Sequence, residues 1–576
     1  MMATKKRELR KERLAAAPRR SWFGPYQVIA AAAIVAAFFA YAPALRGPFL
    51  FDDNTLPFAL PNFNAPLGAW IRGVRPLLMF TYWVNARLSG EDTYSYHVLN
   101  LVFHCIASGF MFFIVRRLLE WSGSETTRRN LLAGFAAAVF LLHPVQTEAV
   151  AYLAGRSETL SVMLVLAAYA VFLGRSSAGV SGPRALALLI LFGASLLAKE
   201  HTIVLPVLFL LTDLWWNPGF SLKGIRRNWK LYAPMAVGAI GGFMFFLPLI
   251  LNASTAGFRL KDLTWYQYFF TECRALFVYP LLFVFPAFQS ADWDFPISKS
   301  ILDHGAIFGL LALLALAGLA WHFRLRYRLA SFGFFAYLLL MAPTSSILPI
   351  RDPVAERRLY LSMLGLLLIA VDLLGRVKVE RKTLAAACTA VVAILAGATY
   401  VRAQVWSNEV ALWDDTVQKS PNKARVHFQL ASAHYNQGQC DLAVAEYQKV
   451  ADLERPDYNL LVDWALAYDC LNQPDVALAK LRQAAALEST AHVYSQIGMI
   501  YGKRAQWPEA MEALATAEKL DPNFAVTFVY KGLVHFATNH PQEAVDDYQR
   551  ALAIDPNLQQ ARQGLAQAQA RLLAKH

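Results

Sequence analysis

Up to about residue 401 the apolar residues of this chain gather into runs near membrane length; beyond it they recur at helical spacing among polar and charged neighbours. The runs fall near 26–45, 97–115, 131–143, 157–174, 184–198, 202–216, 231–251, 264–289, 303–322, 329–349, 359–375 and 383–401. Roughly 20 apolar residues in a helix cross a bilayer, so the pattern predicts an all-α, polytopic membrane bundle over 26–401. Pro280 and Pro286 break the 264–289 run, which also carries Glu272 and Arg274. It is read as re-entrant or interfacial, since irregular backbone at membrane depth needs protein or water around it, and about eleven crossings remain.

The tail repeats itself. Leu430-Ala431, Gly438, Ala443 and Tyr447 align with Trp464-Ala465, Tyr468, Ala477, Leu481 and Ala484 at a period near 34. Clearer copies run from Gly498 to Pro522 and from Gly532 to Pro556, with Asp521-Pro522 and Asp555-Pro556 ending second helices because proline cannot continue them. This tetratricopeptide spacing predicts an α-solenoid: a linker with a partial repeat at 402–423, about four units at 424–556, and a polar capping helix at 557–576. Stacked helix pairs offer a concave groove to an extended peptide; a spacer or oligomer contact is the plainer use. His427, His434, His492 and His535 fall at scattered repeat positions and are read as packing or surface residues.

Charge sets the orientation. The chain is 56% hydrophobic and 16% charged with a net charge of +13, and the excess belongs to the membrane part, which carries roughly +17 against roughly −4 for the tail. Nucleic-acid binding is therefore a poor reading of the high pI, because basic loops are what retention on the cytoplasmic side requires. Arg116-Arg117 with Arg128-Arg129, Arg175 with Arg184, and Lys223 to Lys230 all alternate with the basic segment at 1–25. The repeats are then expected on the opposite face, in a periplasm or an organelle lumen. The first apolar run spans a bilayer with no small-x-small site after it, and is read as an anchor and not as a cleaved signal. Five cysteines are read as ordinary thiols by default; a bridge between Cys440 and Cys470 requires an oxidising compartment.

Ionisable groups at the outer membrane edge are the informative set, because each is costly inside a bilayer. Phe51-Asp52-Asp53-Asn54 follows the first run directly. Adjacent carboxylates in a partly desolvated place shift towards the range of a general base, although a helix cap or a solvated pair is the plain alternative. Arg351, Arg357 and Arg358 stand on the same face against the positive-inside tendency, with Lys199-Glu200, Arg156-Ser157-Glu158 and Arg75 nearby and Glu148 at the end of the third run. Arginine's fork of donors suits phosphate; structural salt bridges, such as Glu356 with an arginine, are the alternative. Together the groups suit a lipid-linked phosphosugar: arginines neutralise the departing phosphate while an aspartate deprotonates an incoming hydroxyl, and a single displacement inverts the anomeric centre. The carboxylate pair also admits a divalent ion, Mg²⁺ or Mn²⁺, at Asp52 and Asp53 without requiring one.

Several stretches resemble a known family. They are Phe51-Asp52-Asp53-Asn54, Arg75-Pro76-Leu77, Tyr96-His97-Val98-Leu99-Asn100, His143 to Val150, Gly155-Arg156, Lys199-Glu200, Ala355 to Leu361, Leu412-Trp413 and Lys419 to Ala424. In this order they are similar to the transmembrane and tetratricopeptide repeat-containing O-mannosyltransferases of the class C glycosyltransferase superfamily. The resemblance implies transfer of mannose from a polyprenyl phosphate to Ser or Thr of proteins on the extracytoplasmic face, with Asp52 and Asp53 catalytic. A short repeat array, and Gln146 where the animal members are expected to have histidine, point to a bacterial relative. On this reading the catalytic set is Asp52, Asp53 and Glu148. The donor phosphate falls to Arg357, Arg358, Arg351, Lys199, Arg75 and Arg156, and the repeats hold the acceptor protein. A membrane-anchored repeat scaffold with a degenerate site is the alternative. A transporter or flippase is weaker, because the charges gather at one face and not along a path through the midplane.

Overall fold

The computed structural model describes residues 25–56, 65–175, 179–216, 219–252, 257–258, 260 and 262–573. The basic segment expected in the cytoplasm lies almost wholly outside them. Among the described residues the regular elements are all helices, which satisfy their own backbone hydrogen bonds as a bilayer demands.

Among the described residues, six helices are long and apolar enough to cross a membrane: Gln27–Ala44, Tyr94–Trp121, Arg156–Leu173, Asp303–His322, Glu356–Arg376 and Arg381–Val405. Thr126–Leu142 and Pro144–Ala151 form a seventh if taken as one span bent by 49°. The bend falls at Pro144, which has no N–H to continue the ladder, and His143 Nδ1 accepts the Val145 N–H there instead. Of the other apolar runs, the one near 231–251 forms the 24-residue Trp229–Asn252 helix, while others form shorter helices, among them Leu205–Trp216 with 12 residues and Arg328–Met341 with 14. The 264–289 run becomes two short helices, Trp265–Ala275 and Val278–Val284.

Glycine decides one central contact. A Cβ on Gly333 would lie 2.6 Å from the Gly365 carbonyl oxygen, and one on Gly365 would lie 2.5 Å from that of Gly333. The Arg328–Met341 and Leu359–Arg376 helices therefore meet backbone to backbone, as small residues permit inside membranes. On the outside, Phe308, Leu311 and Leu314 of the Ala306–His322 helix are exposed, an apolar face that a bilayer covers.

The tail stacks helix pairs that begin at Ala424, Tyr458, Ala491 and Ala525, followed by the Gln559–Leu573 helix. Ala443, Ala477, Ala510 and Ala544 are fully buried where each pair crosses. Cys440 and Cys470 are bonded to each other, with 6.1 Å between their Cα atoms. The other three cysteines are free, so the default reading holds for those three and fails for the tail pair.

The array is seated on the membrane bundle and does not hang from a loose tether. Glu409–Lys419 and Ala424–Asn436 place Trp413, Val426 and Leu430 in one buried cluster with Leu50, Tyr152 and Trp406. A polar latch lies beside it: the Asp292 carboxylate, 5% exposed, receives Lys423 Nζ at 2.5 Å and Arg425 at 2.7 and 2.6 Å. Lys419 Nζ donates to the Gln289 carbonyl, and Ser420 Oγ to that of Asp292.

Candidate active site

The acid motif forms a short 3-10 turn, Phe51–Thr55, at the end of the first helix. Phe51 adopts a left-handed backbone (φ 48°), a conformation that costs on the order of 1–3 kcal/mol for such a residue and survives where its surroundings fix it. Its ring packs edge-on against Trp413 at 5.4 Å. The two aspartates then part company. Asp53 is 1% exposed and braces the turn, its Oδ2 accepting the Leu50 N–H at 3.0 Å and its Oδ1 the Ala154 N–H at 2.7 Å. Burial pushes its carboxyl up to about 7, against those two backbone bonds, while Asp52 raises it and Arg156 lowers it. Asp52 is exposed, and its own N–H donates to the Tyr152 hydroxyl at 2.8 Å.

Three of the expected cations converge. Lys199 lies within electrostatic reach of both Arg75 and Arg357. Each already has a carboxylate: Arg75 is bidentate on Glu200 at 3.0 and 2.6 Å, Lys199 binds Glu158, and Arg357 binds Glu148 through both its guanidinium and its N–H. The Arg75 and Arg357 side chains keep 34% exposure each while Lys199 keeps 14%, so the two arginines are more open to a further anion than the lysine. Tyr152 joins this side to the acids, being within reach of Asp52, Asp53 and Arg357.

The other three do not reach this place. Arg156 is fully buried, donating to Asn100 Oδ1, Asn85 Oδ1 and the Tyr96 carbonyl at 2.8, 2.7 and 2.9 Å. Tyr96 and Asn100 of the resemblance motif thereby acquire a structural role. Arg358 is knotted inside the 352–353 turn, donating to the Pro353 and Asp352 carbonyls and to Tyr268 and Glu272. Neighbours in a 3-10 turn point about 120° apart, so Arg357 and Arg358 cannot share a face. Arg351 is exposed and pairs with Asp262 at 3.3 Å, on the side facing the repeats.

Glu148 is 3% exposed and acts as the orienting partner of Arg357, not as a group open to substrate. Glu356 accepts from the Gln289 side chain at 2.8 Å and the Ser290 N–H at 2.7 Å, where an arginine was the expected partner. Sequence reasoning missed Tyr152, His201 and Asp292. His201 lies 3.7 Å from Glu158, and its only signal was position beside Lys199-Glu200. Among the described residues no group of three or more His, Cys, Asp or Glu is gathered to hold a metal. The expected divalent site at Asp52 and Asp53 does not form as a pair, because both Asp53 oxygens are taken by the Leu50 and Ala154 N–H groups and Asp52 alone of the two is exposed.

Tetratricopeptide repeat models match residues 424–457 and 525–558. The human protein O-mannosyl-transferase TMTC1 is 25% identical over 482 residues, covering 72% of this chain and 54% of the relative. The Caenorhabditis elegans protein O-mannosyl-transferase F38B6.6 is 24% identical over 73% of this chain and 61% of its own length, and human TMTC3 is 22% identical over 84% and 58%. The chain thus spans 54% to 61% of the length of these relatives. Among solved structures, the repeat protein YrrB, described as having an unusual peptide-binding site, is 19% identical over 27% of this chain and 80% of its own, with a TM-score of 0.23. MamA is 20% identical over 26% and 86%, also with a TM-score of 0.23. With repeats along the tail and relatives aligned across most of its length, the chain is a multi-pass membrane protein with a tetratricopeptide repeat tail, similar along most of its length to curated relatives named protein O-mannosyl-transferases.

Proposed function

We propose that the chain is an inverting glycosyltransferase that moves a hexose, mannose by analogy with the names of its relatives, from a polyprenyl phosphate to Ser or Thr hydroxyls of proteins. One observation carries the reading: Arg75, Lys199 and Arg357 converge beside the segment that presents the exposed Asp52. The Asp52 carboxylate takes the proton of the acceptor hydroxyl as its oxygen attacks the anomeric carbon. The bond from that carbon to the phosphate oxygen breaks, and the lipid phosphate leaves with one more negative charge, which Arg357 and Arg75 neutralise. Attack opposite the leaving group inverts the centre. Asp53 holds the turn that aims Asp52, and Glu148 holds Arg357.

The reaction is assigned to the extracytoplasmic face. The bonded Cys440 and Cys470 support this, because structural disulfides persist in oxidising compartments, and so do the basic loops expected on the other side. The repeats bind the acceptor. Mass spectrometry of envelope or secreted proteins from cells with and without the chain tests the assignment: a hexose mass on Ser and Thr that vanishes with the chain is expected, and unchanged spectra count against it.

A further inference from the structure

An open cleft of about 650 Å³ separates the membrane rim from the first two repeats. Trp293, Phe295 and the 351–353 turn form one wall, and Phe428 with the 454–460 segment forms the other. Its charges are sorted. Arg351 pairs with Asp262 at 3.3 Å, and Asp352 with Arg425 at 2.7 Å and Lys423 at 3.6 Å. Outside those pairs, among the described lining residues, stand three exposed carboxylates, Asp294, Glu454 and Asp457, against one cation, Arg455. Asp457 also caps the Tyr458–Cys470 helix by accepting the Leu460 N–H.

The cleft wall is tied to the candidate site through the 351–353 turn, because Arg358, next to Arg357 in the chain, donates to the Asp352 and Pro353 carbonyls. An acceptor passing from the repeats to the rim has this passage between them. Aromatic walls and exposed charge fit a polypeptide, whose side chains alternate between the two, better than a lipid tail. We propose that this cleft seats the acceptor polypeptide as an extended segment, and that segments carrying Lys or Arg near the reacting hydroxyl are preferred. The proposal rests on the transferase reading and deepens it. It puts the acceptor between the two parts of the molecule, where the concave repeat surface alone would hold it further away.

The test uses the full chain in nanodiscs with a photo-crosslinking residue in place of Asn459. The probes are biotinylated Ser- and Thr-rich peptides that differ only in Lys or Glu flanks. The Lys peptide is expected to label about tenfold more than the Glu peptide, and the Asp294→Lys/Glu454→Lys pair to reverse that order with melting unchanged. Equal labelling of the two peptides, indifference to the double variant, or labelling no greater than from a crosslinker at exposed Glu512 would overturn it. Because binding is read without turnover, the two claims separate. Peptide capture with no hexose transfer removes the transferase reading and leaves the cleft; transfer with an unchanged acceptor KM in the double variant removes the cleft and leaves the reading.

Discussion

The backbone N–H of Asp52 donates to the Tyr152 hydroxyl at 2.8 Å, so the residue with the exposed carboxylate is positioned through its main chain by a phenol within electrostatic reach of Arg357. Removing that hydroxyl should loosen Asp52 without removing any charge. A Tyr152→Phe variant is expected to lose about tenfold in kcat, in line with the roughly 1–3 kcal/mol cost of an unmet donor, with donor KM little changed. Steady-state kinetics check this, and an unaltered kcat would show that Asp52 is held by other means.

Arg357 and Arg358 are neighbours with different fates. Arg357→Ala should raise the donor KM and leave acceptor binding alone. The Arg357→Ala/Glu148→Gln pair should melt higher than the single variant, because it relieves the lone buried carboxylate, yet regain no donor use. Arg358→Ala breaks a buried knot, at a cost of about 3–5 kcal/mol, and should appear as a large drop in melting temperature or as loss of folded protein.

Asp53 makes stability depend on pH. Its folded carboxyl titrates at about 7 against an ordinary value of 3.8, so between those values the folded state holds more protons than the unfolded one. Its contribution is therefore fully present below 3.8 and is lost as pH rises through about 7. Melting of the wild type relative to Asp53→Asn should fall across that window. A difference between the two that is flat with pH would remove the titration from Asp53.

The bonded Cys440 and Cys470 close a loop with a sequence separation of 30. A bridge of that span stabilises by about 3–4 kcal/mol in the chain-entropy account. Cys440→Ser/Cys470→Ser should lower repeat-domain melting, and both thiols in protein isolated without reductant should resist alkylation. Ready alkylation of both would contradict the bridge and weaken the assignment to an oxidising compartment.

Much of this was legible in the chain because it follows from periodicity. The helix starts at Ala424, Tyr458, Ala491 and Ala525 reproduce a spacing visible in alanines and glycines. The bend after Leu142 follows from Pro144. Charge type was legible too, but direction was not: in the 3-10 turn Glu356–Arg358 adjacent residues face different surroundings, and sequence spacing does not say which arginine turns inward. The same holds for Asp52 and Asp53, of which one is exposed and the other carries a brace to Ala154 across the fold. The Asp292 latch could not be read at all, since its partners Lys423 and Arg425 lie more than a hundred residues away in the chain. It gives the Lys419 to Ala424 stretch a structural purpose, which is to fix the repeats against the rim.

The central claim is that the Asp52 carboxylate takes the acceptor's proton. Full-length protein in liposomes, supplied with labelled polyprenyl-phosphate mannose and a Ser- and Thr-containing acceptor peptide, measures it directly when wild type and Asp52→Asn are compared. The account predicts that Asp52→Asn folds, melts near the wild type and still binds donor, while transfer falls by about 10²-fold or more, as loss of a general base entails. Transfer by Asp52→Asn at the wild-type rate would contradict it.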